Sequence, residues 1–120
     1  MEFDETSGKV IAAAIEVHRR LGPGFMESLY EQALRLELRK RGIAFESQKL
    51  VQVVYDGVVV GNHILDLVVE EFLVVELKAV KALEEVHHAQ LRSYLRATGC
   101  TVGLLLNFNT ATLTIKRSAN

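Results

Sequence analysis

At 120 residues and 13.4 kDa the chain can bury one core and is too short for two ordinary domains. With 49% apolar residues, eight glycines and a single proline, it is neither disordered nor low-complexity. Fourteen basic and fifteen acidic residues leave a net charge of -1, which excludes a strongly basic nucleic-acid coat but not a nucleic-acid enzyme, because a bound cation can supply positive charge.

Met1 to Lys9 is acidic and polar, unlike a signal peptide. Helical spacing starts at about Thr6 and runs to Leu21, through Val10, Ile11, Ala14, Ile15 and His18, with Thr6 or Ser7 as the expected cap. Gly22, Pro23 and Gly24 end it. A second helix is predicted from Met26 to Arg41, stopped at Gly42. Glu27, Tyr30, Leu34 and Leu38 share one stripe of it, so a carboxylate opens a stripe otherwise suited to burial. The pattern then switches to period two. Ala44 to Val54 and Val58 to Val69 read as strands around a Tyr55-Asp56-Gly57 turn, the second bent at Gly61. Glu70 and Glu71 form the next turn, and Phe72 to Val80 a third strand. A third helix follows from Leu83 to Ala97, then strands at Thr101–Asn107 and Ala111–Arg117.

The order is α-α-β-β-β-α-β-β, an α/β fold with a mixed central sheet flanked by helices, in one domain over residues 1–120. The strand–helix–strand unit predicts a parallel pair. Cys100, the only cysteine, excludes an intramolecular disulfide and a cysteine-based zinc site and reads as a small apolar residue entering a strand. Apolar runs such as Leu104–Leu106 are too short to span a membrane, and the expectation is a soluble, cytoplasmic protein.

Chemistry concentrates at Asp66 and at Glu76-Leu77-Lys78. Glu76 and Lys78 lie two apart in an apolar strand, so they point the same way where charge is costly. If the hairpin is symmetric about Glu71, Asp66 sits directly opposite Glu76, with Cβ atoms about 5 Å apart. Carboxylates that close repel unless they share a proton or a divalent cation. Two acids and a backbone carbonyl suit Mg²⁺ or Mn²⁺. A solvated salt-bridge cluster is the alternative.

Gly24-Phe25-Met26-Glu27-Ser28-Leu29-Tyr30 matches the G-x-x-E-x-x-Y signature. Further matching segments run from Glu16 to Pro23, Asp66 to Val69, Val75 to Val80, Ala89 to Leu95 and Val102 to Phe108. From about Val10 to Arg117 the chain therefore resembles the GxxExxY proteins, which are similar to the PD-(D/E)XK nuclease superfamily. The resemblance implies a metal-dependent nuclease, with DNA a better substrate than RNA. It implies that Asp66, Glu76 and the Leu77 carbonyl bind the metal, with Glu27 as an extra acid. Lys78 would orient the attacking water, and Gln90 would be the polar residue added by the following helix. His18, Tyr30 and Tyr94 would support the site. Small nucleases of this type commonly work as homodimers. Two departures stand out: Ile64 where relatives carry an arginine or aromatic residue, and Leu65 in place of proline.

By their own spacing, Glu27 also suits a helix start, and Tyr30, Tyr94 and His18 also suit a packed core. Gln90 is expected on the buried side of its helix, with Ala89, Ser93 and Ala97 letting that helix approach the sheet. Neither His87 nor His88 is expected to be a ligand. The basic run Arg35, Arg39, Lys40 and Arg41 reads as a solvated face or a phosphate contact. A fold of this kind without turnover, binding nucleic acid or a protein partner, is the rival functional reading.

Overall fold

The computed structural model describes residues 2–119. Helices α1 (Glu2–Leu21) and α2 (Glu27–Lys40) precede a meander of β1 (Phe45–Tyr55), β2 (Val58–Val69) and β3 (Leu73–Lys78). Helix α3 (Glu85–Thr98), β4 (Val102–Asn107) and β5 (Thr114–Ala119) complete the chain. Element order and type are those predicted. The first helix starts earlier, so Thr6 and Ser7 lie inside it rather than capping it. The third strand ends at Lys78, two residues short of its predicted end, and the last one lies further along the chain.

The five strands form one sheet in sequence order, with β3 and β4 parallel and the other pairs antiparallel. Two apolar layers cover it. Val10, Ala13, Ala14 and Val17 of α1 and Tyr30, Leu34 and Leu38 of α2 pack on Leu67, Val75, Leu77 and Leu104. On the other face Leu91 and Leu95 of α3 pack on Leu65, Val68, Val74 and Leu105. The predicted stripe of α2 is thus buried below Glu27, and Tyr30, Leu34 and Leu38 are fully enclosed. The predicted contact face of α3 is corrected. Gln90, Ser93 and Ala97 are exposed, because the larger Leu91 and Leu95 gain more from burial. The close approach comes instead from Gly103, where an added Cβ would lie 2.8 Å from Leu91 Cδ1.

The β2–β3 register is the predicted one. Leu67 faces Val75, Val68 faces Val74 and Val69 faces Leu73, so Asp66 stands level with Glu76. Glu70 and Glu71 both have positive φ, as a tight hairpin turn of this hand requires.

One feature of β1 and β2 is not legible in the pattern. Leu65 and Leu67 have the same parity, yet Leu67 packs under α1 and α2 while Leu65 packs under α3. Likewise Phe45 packs on the first layer and Val51 on the second. The pleat slips between them, at Gln48 and Asp66, and Gln48 has φ 51° in mid-strand. Asp66 therefore lies where the sheet changes faces.

Candidate active site

The antiparallel ladder between β2 and β3 stops after Leu67–Val75. Two residues past Val75, a side chain replaces a backbone partner: the Leu77 N–H donates to Asp66 Oδ2 at 2.9 Å. Within a strand a residue's N–H and C=O point to the same edge. The Leu77 carbonyl therefore also points toward Asp66. The Lys78 carbonyl points the other way, accepting from the Phe108 N–H at 2.9 Å.

Glu76 is buried, 6% exposed, and its Oε1 has no hydrogen-bond partner. Burial pushes its pKa up to about 9, and the adjacent Asp66 carboxylate adds to the rise. Lys78 and the Asp66 N–H oppose it. A carboxylate is thus enclosed against a second one with too little positive charge to hold both ionised. Asp66 and Lys78 are half-buried.

Glu27 enters from α2. With Met26, Ser28, Glu31 and Asp66 it lines an open cavity of about 450 Å³. Burial raises its pKa, Asp66 and Glu31 raise it further, and Lys78 lowers it, so all four groups share one electrostatic environment. The position of Glu27 follows from its flanks. Gly24 has φ 112°, which favours glycine. Three residues past Glu27, the Tyr30 hydroxyl donates to the Gly22 carbonyl at 2.6 Å and accepts the Phe25 N–H at 3.1 Å. Tyr30 also stacks on Phe108, with centroids 4.7 Å apart. His18 is buried beside Phe108 and bonds the Thr110 carbonyl through Nε2 at 2.9 Å. Both rings thus brace the α1–α2 connection that delivers Glu27.

Tyr94 approaches from α3. Burial raises its pKa first, then the Glu76 and Asp66 carboxylates. Gln90, one turn earlier on the same helix, is exposed. His87 serves the start of α3: its side chain and that of Glu84 form a reciprocal cap. The basic run on α2 is largely engaged within the fold. Arg35 pairs with Glu31, Lys40 and Arg41 with Glu37, and Arg39 lies over the Phe45 ring.

Sequence reasoning missed three neighbours of the site. Buried Glu31 accepts from Arg35 at 2.5 Å and from Gln48 Nε2 at 2.8 Å, joining α2 to the strand position level with Asp66. His63 stacks on Tyr94 at 4.1 Å. Helical spacing could have flagged Glu31, four residues from both Glu27 and Arg35.

Among the described residues no three His, Cys, Asp or Glu side chains form a ready-made metal cluster. The donor set nonetheless fits one divalent cation. It offers two adjoining carboxylates, an orphaned buried oxygen on one of them, and a main-chain carbonyl directed at the same gap. No helix among the described residues is long and apolar enough to cross a membrane. The family model of the PD-(D/E)XK nuclease superfamily matches residues 4–118. No curated protein and no solved structure matches the chain.

Proposed function

The chain belongs to the PD-(D/E)XK nuclease superfamily, and on that premise we propose that it is a divalent-metal-dependent nuclease of the GxxExxY kind. Its bond is the phosphodiester of nucleic acid, DNA ahead of RNA by analogy with the superfamily. Its metal is Mg²⁺ or Mn²⁺, its compartment the cytoplasm, and its working form a homodimer. The observation that carries the reading is the orphaned Oε1 of Glu76, buried against Asp66 beside Lys78.

Asp66, Glu76 and the Leu77 carbonyl would hold the cation, with Glu27 at the cavity wall as a further acid. A bound divalent cation supplies neutralisation of the scissile phosphate and a lower pKa for water. Lys78 shares the face of Glu76, so its ammonium can hold the attacking water in line and stabilise charge that develops on the phosphate. Tyr94 lies near both acids on the α3 side and would support the site there. Gln90, exposed on α3 one turn before Tyr94, would be the polar residue that this helix adds to the site.

The test is cleavage of DNA and RNA substrates with Mg²⁺, with Mn²⁺ and with chelator. Activity should vanish in chelator and in Glu76→Ala, and should fall by about a hundredfold or more in Lys78→Ala. Unchanged cleavage by either variant would overturn the assignment. The rival reading, a module of this fold that binds nucleic acid or a protein partner without cutting, draws on the net charge of -1 and on Ile64 where relatives carry an arginine or aromatic residue. Such a module would hold nucleic acid equally well in chelator.

A further inference from the structure

The β1–β2 hairpin carries a surface that the catalytic reading does not use. Leu50, Val54, Tyr55, Val58, Val60 and Ile64 are each more than half exposed. Between Leu50 and Ile64 the only Asp, Glu, Lys or Arg side chain is Asp56, at the tip. A two-stranded ribbon is marginal in water without a cover. It is also a poor phosphate surface, because it holds no lysine or arginine.

β1 is moreover an outer strand of the sheet. It runs for 11 residues without proline, and its two charges, Glu46 and Lys49, pair with each other near its start. The distal half, Leu50 to Tyr55, has none of the charges that usually guard an edge. The bulge near its end places the extra residue in β2, at Val60, and leaves β1 regular there.

We propose that the β1 edge and its apolar hairpin are where a second copy of this chain docks, β1 against β1 about a twofold axis. This deepens the homodimer proposed above by naming its surface. Identical antiparallel edges satisfy each other's N–H and C=O groups, which is the self-complementarity a twofold contact requires. Of the six, Leu50, Val54 and Tyr55 stand on β1 itself, so edge pairing sets them beside their own copies and adds apolar cross-strand contact to the main-chain bonds. A hairpin that needs a cover whenever the chain is folded is best served by a partner always present with it, and its own copy is that partner. The net charge of -1 puts no appreciable repulsion in the way.

The experiment is light scattering and sedimentation of the full chain beside Leu50→Lys and Val54→Lys, with cleavage measured on the same samples. The unmodified chain should have twice the 13.4 kDa mass. Each lysine, set near its own copy across the axis, should raise the dimer dissociation constant by about a hundredfold or more. A 13.4 kDa species for the unmodified chain would overturn both the dimer and its surface. Lysine variants that stay dimeric would overturn the surface alone. Should a variant fail to fold by circular dichroism, hydrogen exchange on the unmodified chain decides. Alternate β1 amides should be protected, and exchange at open-edge rates would overturn the proposal. Chelator-sensitive cleavage is read independently, so failure of the dimer and failure of the nuclease reading are distinguishable.

Discussion

The Leu77 N–H donates to the Asp66 carboxylate at 2.9 Å, where the next ladder bond between β3 and β2 would otherwise form. A side chain thereby substitutes for a strand. The sheet can open beside Glu76 without orphaning the Leu77 N–H, and the Leu77 carbonyl is left aimed at the gap. Two acids, a carbonyl and a lysine are gathered by that one exchange.

Divalent metal should stabilise the folded chain through this gap. At a hundredfold excess over Kd the gain is about 2.7 kcal/mol. Thermal unfolding with Mn²⁺ or Mg²⁺ should therefore show a higher Tm than in chelator, and the rise should disappear in Glu76→Ala. The same rise in that variant would place the cation elsewhere.

The metal-free protein should lose stability as pH rises. Folded Glu76 keeps its proton to about pH 9, against an ordinary 4.5. Between those values the folded state binds more protons than the unfolded one, so stability falls with increasing pH. The contribution is whole below the ordinary value and gone above the raised one. In chelator, Tm should decline across this window, and Glu76→Gln, which has no proton to lose there, should decline less. Parallel curves would contradict the buried, proton-holding Glu76. Metal must displace that proton, so its stabilisation should grow with pH.

Tyr30→Phe removes one hydroxyl that serves both the Gly22 carbonyl and the Phe25 N–H, while keeping the stack on Phe108. Denaturant unfolding should show a loss of about 1–2 kcal/mol. The α1–α2 connection then holds Glu27 less firmly, so metal-dependent cleavage should fall more than the small stability loss alone accounts for. Cleavage at the full rate would mean that the brace does not matter to Glu27.

Gln48 occupies a left-handed conformation that costs a non-glycine residue about 1–2 kcal/mol, offset here by its bonds to Glu31. Gln48→Ala loses the bonds and keeps the strain, whereas Gln48→Gly loses both. The glycine variant should be more stable than the alanine variant by about 1 kcal/mol, the reverse of the usual order in a strand. Chemical denaturation of the pair settles it, and alanine as the more stable of the two would remove the pleat slip from the account of the site.

Periodicity and turn chemistry carried the reading where interactions are local. The stripe of Tyr30, Leu34 and Leu38, the Glu70-Glu71 turn, and hence the level placement of Asp66 and Glu76 follow from spacing and one short hairpin. The G-x-x-E-x-x-Y segment was legible too, although what its tyrosine does was not: the Tyr30 hydroxyl acts eight residues back, on Gly22.

Long-range register was beyond the sequence. Counted from the turn alone, where Tyr55 faces Val58 and Val54 faces Val59, Gln48 would face Leu65. The shift at Val53/Val54 moves every later pair by one residue and brings Gln48 level with Asp66. No local pattern announces that shift, so the link from Gln48 to Glu31 and Arg35 stayed hidden. The exposure of Gln90 escaped for a related reason: several faces of α3 look amphipathic, and packing against Gly103 selects the one with Leu91 and Leu95.

By itself, then, the sequence determined the order of elements, the Asp66–Glu76 pairing and the acid–lysine face, because each depends on spacing within one or two adjacent elements. Tertiary structure alone decided where the pleat slips, which side of α3 is buried, and that Glu76 carries an orphaned oxygen against Asp66. Those depend on how residues far apart in the chain exclude water from one another, and burial of that kind is a property of the assembled layers rather than of any segment.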